Sequence, residues 1–283
     1  MIIIADSGST KTAWTIISKN GSTTSTRTQG LNPVFTSQEG IIEACQVVKE
    51  AATPLLQKDE PVNIYFYSAG MDSEEAFGRI EKPMQSIFPT AEIEVQSDLL
   101  AACRATCGRN PGMVAILGTG SNSCLYDGVH MTKNIAALGH GYDCDEGSGN
   151  AIGRKLIKAY LRELMPERLR TDFHNEYPLT QDDFLTSAYS KPNPNRFMAS
   201  FAPFCNHHHS DPWIKGLLHE VFDFFFREQI LHYRNAPDTL HLNGSIAQVF
   251  KEDIETVASS HGIKLGVVLK DPMEGLIKFH TVK

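Results

Sequence analysis

The chain has 283 residues, 41% of them hydrophobic and 21% charged, which is ordinary for a globular protein and long enough for two domains that each bury a core. Lys and Arg number 26 against 33 Asp and Glu, and the net charge of −7 argues against a general nucleic-acid binder or a membrane-surface protein, since both need a basic face. No stretch approaches the roughly 20 apolar residues of a membrane span. The apolar start Met1 to Ala5 is too short for a signal peptide, and the six scattered cysteines include no C-x-x-C pair, the pattern of reduced thiols in a cytoplasmic protein.

The first predicted element is an apolar strand, Ile2-Ile3-Ile4-Ala5, that ends in Asp6. A turn of small residues comes next, Ser7-Gly8-Ser9-Thr10-Lys11-Thr12, and then a β-branched and aromatic run to Ile17 that ends at Lys19-Asn20-Gly21. Small residues admit phosphate oxygens to the backbone N–H groups, the hydroxyls and Lys11 donate hydrogen bonds, and Asp6 can hold magnesium. The spacing is not that of G-x-x-x-x-G-K-S/T, and the run from Thr12 to Ile17 reads as a strand, so the phosphates are expected on a β-hairpin turn. An ordinary Gly/Ser hairpin is the plain alternative.

A third strand is expected near 22–28, then the turn Gly30-Leu31-Asn32-Pro33, and then a helix over 38–52 capped by Ser37. A strand over 62–68, a helix over 73–88 and a strand over 92–96 lead to a helix over 98–107. Asp98 stands at that strand-to-helix junction, where it reads both as an N-cap and as a general base able to accept a hydroxyl proton. Residues 108–112, Gly-Arg-Asn-Pro-Gly, form the clearest break and a natural hinge.

A second strand–turn–strand unit occurs about a hundred residues after the first. The apolar run 113–117 leads into Gly118-Thr119-Gly120-Ser121-Asn122-Ser123, and 124–126 continues as a strand to Asp127-Gly128. Two such units imply a duplicated α/β fold with a nucleotide clamped between the halves, not a solenoid. In Gly139-His140-Gly141-Tyr142-Asp143-Cys144-Asp145-Glu146-Gly147, the two acids precede a helix over 148–164 and read as an acidic first turn. The crowded glycines also suit a loop that approaches a ligand, and carboxylates with the Asn32 and Asn122 amides suit the vicinal hydroxyls of a sugar.

The region 180–235 reads as mostly helical; its His207-His208-His209 reads as a solvated loop, and Phe222 with Phe224, Phe225 and Phe226 as a buried helix or a dimer face. A strand over 239–242 enters Asn243-Gly244-Ser245, where a helix begins. Gly244 there admits an adenosine closely, or the segment is a simple strand–turn–helix with a Ser245 cap. A strand over 265–269 and a closing helix over 273–279 complete the chain.

The ordered set Asp6-Ser-Gly-Ser-Thr-Lys-Thr, Asp98, Gly118-Thr-Gly-Ser-Asn, Asp145-Glu-Gly-Ser-Gly and Gly244-Ser-Ile-Ala resembles the N-acetylglucosamine kinase and BadF/BadG-type ATPase family of the actin–hexokinase–Hsp70 superfamily. The resemblance implies two ribonuclease-H-like domains, 1–107 completed by the helix 272–283, and 108–271, with Mg-ATP between them. It assigns Asp6 to magnesium, Gly8, Ser9, Thr10, Lys11, Thr119 and Gly120 to the phosphates, and Gly244 and Ser245 to adenosine. Asp98 matches the catalytic base, and Asn32, Ser121, Asn122, Gly139, Gly141 and Asp145 match positions around the sugar.

The family usually has glycines where this chain has Ser7 and Ser9. Its segment before the Asp-Glu pair is one residue longer and carries Gly where Cys144 stands, which bears on the shape of the sugar pocket. The implied activity is transfer of the γ-phosphate of ATP to the 6-hydroxyl of an amino sugar, N-acetylglucosamine first, by a cytoplasmic homodimer. The alternatives are an ATPase of the 2-hydroxyacyl-CoA dehydratase activator type, for which Cys103 and Cys107 share a helix face, and a nucleotide-binding sensor without catalysis.

Overall fold

The computed structural model describes residues 1–8, 11–57, 60–71, 73–142 and 144–282. Strand β1 (Ile2–Ser7) turns into β2 (Lys11–Ile17) and β3 (Thr23–Gln29), an antiparallel meander whose last strand is polar and half-exposed, as an edge strand should be. Helix α1 (Gln38–Ala52) starts at Ser37, whose hydroxyl accepts from the Gly40 N–H, and buries Ile41, Ala44, Cys45, Val48 and Ala52 along one stripe. Then come β4 (Asn63–Ser68), α2 (Glu74–Ile87), β5 (Glu92–Ser97) and α3 (Asp98–Cys107), with β4 parallel to both β1 and β5. The sheet order is β3-β2-β1-β4-β5. Both faces of β1 are covered, which is why Ile3, Ile4 and Ala5 form an unbroken apolar run and not an alternation.

The second half repeats this plan. β6 (Gly112–Leu117), β7 (Ser121–Tyr126) and β8 (Met131–Asn134) form another meander. Six helices come after it: α4 (Gly149–Leu161), α5 (Glu167–Glu176), α6 (Gln181–Tyr189), α7 (Pro194–Ala199), α8 (Ala202–His207) and α9 (Pro212–Glu228). β9 (Thr239–Asn243) pairs parallel to β6, and after α10 (Ser245–Val249) and α11 (Lys251–Ser260), β10 (Lys264–Leu269) pairs parallel to β9. From its edge strand inward, the sheet is β8-β7-β6-β9-β10, the first sheet strand for strand, so the molecule is a duplicated ribonuclease-H-like α/β fold. Helix α12 (Met273–Thr281) comes after β10 as α3 comes after β5.

The chain divides into two units, Met1–Arg109 with Pro272–Lys283, and Asn110–Asp271. In the first, Ile3, Ala5, Trp14 and Ile16 face a core shared with α1 and α2, while Ile4 and Tyr67 face Ala101 of α3 and Leu276 of α12. In the second the core is aromatic, and Phe173, Phe201, Phe204, Phe222, Phe225 and Phe226 are all buried. The Phe-rich run of α9 therefore packs inward, apart from the half-buried Phe224. Among the described residues no helix is long and apolar enough to cross a membrane.

Two elements, β8 and α5, have no counterpart among those expected from the sequence. Every residue of β8 is exposed, so no alternation marks it, and α5 buries only Leu169 and Phe173. His207 ends α8 instead of lying in a loop, and the three consecutive histidines diverge, His207 to Glu176 (3.2 Å), His208 to Asp172 (3.9 Å) and His209 to Asp253 (2.8 Å).

Within the first unit, α12 is tied to β4, β5 and α3 by a part-buried polar cluster. Arg104 Nη1 donates to Tyr67 Oη (2.6 Å) and Glu94 Oε1 (2.7 Å), Tyr67 Oη lies 2.8 Å from His280 Nε2, and the His280 ring stacks on Tyr65. Because Tyr67 accepts from Arg104, its own O–H is left to donate to a neutral imidazole. Burial and the Arg104 and Arg109 cations push the His280 pKa down to about 4 from an ordinary 6.5. The unfolded chain thus binds the proton first. The stability that neutral His280 contributes is complete above about pH 6.5 and is lost as pH falls toward the folded-state value of about 4. The urea midpoint of the wild type is expected to fall more steeply across that window than that of His280→Gln; parallel curves would refute the linkage.

Candidate functional site

In the first unit three parallel strands end in serines at the same level of the sheet. The parallel register sets Ser7 beside Ser68 and Ser68 beside Ser97, so β1, β4 and β5 end flush. Ligands of open α/β sheets bind outside such carboxyl ends. The β1–β2 turn and the start of α3 both rise from these ends. Strand alternation puts Asp6, half-buried, on the same face as Ile4, the face that α3 covers and that Asp98 opens.

Ser97, not Asp98, caps α3, its hydroxyl accepting from the Leu100 N–H (3.2 Å). Asp98 is the first helical residue, so the expected cap role passes to the serine that ends the strand and the carboxylate is left available. Burial pushes its pKa above the ordinary aspartate range, partly opposed by hydrogen bonds from the backbone of Leu99 and of Asp98 itself.

The first turn is tight: Gly8 N–H donates to Lys11 O (3.1 Å), and Lys11 already belongs to β2, exposed. Ser9 and Thr10, expected phosphate contacts, lie outside the described residues. Ser7 points to the other face of β1. Its hydroxyl lies 2.8 Å from Thr12 Oγ1 and accepts from the Leu31 N–H (2.9 Å), while Thr12 Oγ1 donates to Gln29 O (2.9 Å). The serine that departs from the family pattern thus fastens the turn to the segment that carries Asn32. Asn32 is buried, its Oδ1 accepts from the Val34 N–H (2.9 Å), and a Cβ on Gly70 would stand 2.8 Å from that oxygen.

The second unit repeats the arrangement. Ile116, Asn243 and Leu269 are in register at the ends of β6, β9 and β10. The turn after β6 is only Gly118-Thr119-Gly120, shorter than expected, because Ser121, Asn122 and Ser123 already belong to β7. Its carbonyls are held by the start of α4: Gly149 N–H donates to Gly118 O (2.8 Å) and Asn150 N–H to Thr119 O (3.0 Å). Alternation along β7 sends Ser121 and Asn122 to opposite faces. Ser121 accepts from Gln229 Nε2 (3.1 Å), whereas the Asn122 side chain accepts from Asn134 Nδ2 (2.8 Å).

Asp145 and Glu146 are both buried and lie before Ser148, the cap of α4, so the first turn of that helix holds no acid. Asp145 Oδ1 accepts weakly from the Ser121 N–H (3.4 Å), its Oδ2 accepts from Asn150 Nδ2 (2.8 Å), and a Cβ on Gly120 would meet Oδ1 at 2.8 Å. Glu146 Oε2 accepts from Gln229 Nε2 (2.7 Å). Gly120, Ser121 and Asp145 are thus brought together. Gly139 closes a small loop of its own, its carbonyl accepting from the N–H groups of Tyr142 and Cys144, with Gly141 exposed inside it.

Asn150 and Gln229 carry no motif that marks them in the sequence. The one signal for Gln229 is an uncharged polar residue just past the Phe-rich stretch, and it needs the fold to give it meaning. Gly244 has a φ of 125°, is itself the cap of α10 in place of the expected Ser245, and would drive a Cβ to 2.2 Å from Leu117 O. The structure therefore explains this glycine by the backbone of the second turn. Ser245 is exposed beside it.

The six cysteines form no disulfide, and Cys103 and Cys107 are buried on α3. Among the described residues no group of three or more His, Cys, Asp or Glu is placed to hold a metal. A cavity of about 540 Å³ opens between α4 and α9 of the second unit, where Glu146, Lys158, Phe224 and Arg227 are among its lining residues.

No protein-family model and no curated protein matches the chain. Among solved structures it is similar to a Porphyromonas gingivalis protein provisionally named an N-acetylglucosamine kinase, with 39% identity over 99% of this chain and 98% of that one and a TM-score of 0.89. A Chromobacterium violaceum protein with the same provisional name is 16% identical over 98% of both chains, at a TM-score of 0.75. The ethanolamine utilization protein EutJ of Carboxydothermus hydrogenoformans is 14% identical, covering 96% of this chain and 86% of that one, at a TM-score of 0.54. The last two share the fold alone. The identity of 39% over nearly all of both chains, on the same duplicated sheets, makes this protein a member of the N-acetylglucosamine kinase family within the actin–hexokinase–Hsp70 superfamily.

Proposed function

We propose that the protein is an ATP-dependent sugar kinase that transfers the γ-phosphate to the 6-hydroxyl of an amino sugar, with N-acetylglucosamine as the favoured acceptor. The observation that carries this reading is the placement of Asp6 and Asp98 at the carboxyl ends of strands of one sheet, on the face that α3 covers, and the grouping of Gly120, Ser121 and Asp145 at the matching ends of the other. Family membership supports it.

Asp98 accepts the proton of the attacking hydroxyl, and its raised pKa brings its basicity nearer neutrality. Lys11 and the small residues of the first turn are suited to stabilising charge on a transferred phosphoryl group, and the Gly118–Gly120 turn of the second unit offers the same backbone chemistry. Asn32 in the first unit and Asp145 in the second are each suited to orienting sugar hydroxyls, and Gly244 and Ser245 to receiving the adenosine. A carboxylate at the end of β1 fits magnesium, which prefers one or two carboxylates plus substrate phosphates to an all-protein cage. Asp6 would hold it, and when bound the ion neutralises charge on the β- and γ-phosphates.

The test is ADP release from Mg-ATP with N-acetylglucosamine, glucosamine, N-acetylmannosamine, glucose or no sugar. Strong stimulation by N-acetylglucosamine is the expected outcome. Release that is the same with and without every sugar would sink the kinase reading in favour of a sugar-independent ATPase or a sensor. A chelator should abolish sugar-dependent release and added magnesium restore it; activity that survives the chelator removes the role given to Asp6.

A further inference from the structure

We infer that Gln229 is a positioning residue that holds the Asp145–Glu146 loop against β7 and so sets affinity for the sugar hydroxyls. The link to sugar rests on the kinase reading above; the positioning itself does not. Gln229 is 5% exposed at the end of α9. Its amide nitrogen donates to Glu146 Oε2 (2.7 Å) and Ser121 Oγ (3.1 Å), and its Oε1 accepts from Ser123 Oγ (3.1 Å). Ser123 Oγ also lies 2.9 Å from Tyr233 Oη.

A primary amide has two N–H donors, and here both go to groups of the site. The orientation is fixed, because a flipped amide would set its carbonyl oxygen against the Glu146 carboxylate. Glu146 is 8% exposed, and a carboxylate so buried needs a donor. An amide supplies one without adding a charge beside Asp145. Asp145 is held by Asn150 of α4. The acid pair is therefore gripped from two helices, Asp145 from α4 and Glu146 from α9, while Ser121 joins both grips through its N–H and its hydroxyl.

The experiment uses the full chain with Gln229→Met, which keeps the volume and removes the hydrogen bonds, and the reciprocal double variant Gln229→Glu with Glu146→Gln, which exchanges donor and acceptor. Amide hydrogen exchange and steady-state kinetics are the readouts. Gln229→Met is expected to raise the sugar KM about tenfold, as loss of a buried charge-assisted hydrogen bond would, with kcat and the ATP KM changed less than about threefold. Exchange should quicken over 118–123 and 144–150 and stay unchanged in the rest of the second unit.

The reciprocal variant should recover both readouts if the bond positions the loop. Failure to recover, a sugar KM equal to that of the wild type, or exchange that quickens uniformly would overturn the proposal. If the wild type itself shows no sugar-dependent turnover, the kinase reading has failed. The exchange pattern and its reversal then decide the positioning role alone.

Discussion

Asp98→Asn is expected to cut sugar-dependent ADP release by about 100- to 10,000-fold, the range associated with a general base, while leaving the protein as stable as before or more so. The two halves of that expectation come from one arrangement. Ser97 supplies the cap of α3, so the helix start does not depend on the Asp98 carboxylate. Burial raises the Asp98 pKa, so the folded state holds the proton more tightly than the unfolded chain does. Linkage sets the sign: the protonated carboxyl contributes stability below the unfolded pKa, and that contribution is lost as pH rises through the higher folded value. At neutral pH the ionised group is therefore a cost, which the neutral amide removes.

A variant with little activity and an unchanged or higher thermal midpoint at pH 7 would mark a catalytic carboxylate. A fall in activity together with the midpoint would mark a structural one. In the wild type the acid limb of kcat/KM should lie above the ordinary aspartate value, with activity disappearing as pH falls through it.

Gly244→Ala is expected to destabilise the second unit by about 3 kcal/mol, since it combines a φ that L residues rarely adopt with overpacking against backbone. The added Cβ would stand 2.2 Å from Leu117 O and 2.7 Å from its carbonyl carbon, at the point where β6 enters the second turn. Neither atom is the end of a flexible side chain, so β9 or the turn itself must move. In the proposed enzyme that displacement also weakens nucleotide binding.

The control is Gly141→Ala, because among the described residues no non-neighbouring atom lies within 4 Å of a Cβ there and its φ is not positive. Thermal midpoints and calorimetric titration with ADP separate the two: Gly244→Ala should lose both stability and affinity, and Gly141→Ala should keep its stability. An unshifted midpoint for Gly244→Ala would refute the packing argument.

Where a segment's conformation is settled by its neighbours in the chain, the sequence sufficed. Apolar residues at helical spacing and a serine just before them delimit α1 at Gln38–Ala52, and the break at 108–112 bounds α3 at Cys107. The two strand–small turn–strand units announced the duplication, because glycine and hydroxyl clusters between apolar runs are local signals. Packing decided the rest. β8 and α5 bury too little to leave a periodic trace. Ser97 and Asp98 are both good caps, and only the geometry of the strand end chose between them.

The second turn closes at Gly120, and that alone sends Ser121 and Asn122 to opposite faces of β7. Gln229 stands more than a hundred positions from Ser121 in sequence, yet donates to it. By itself the sequence determined which residues could bear the chemistry and in what order they occur, since composition and local spacing carry that much. Which of them share a face, which amides grip the acid pair and why position 244 must be glycine were decided by the tertiary structure, because those properties depend on contacts between segments that local pattern does not encode.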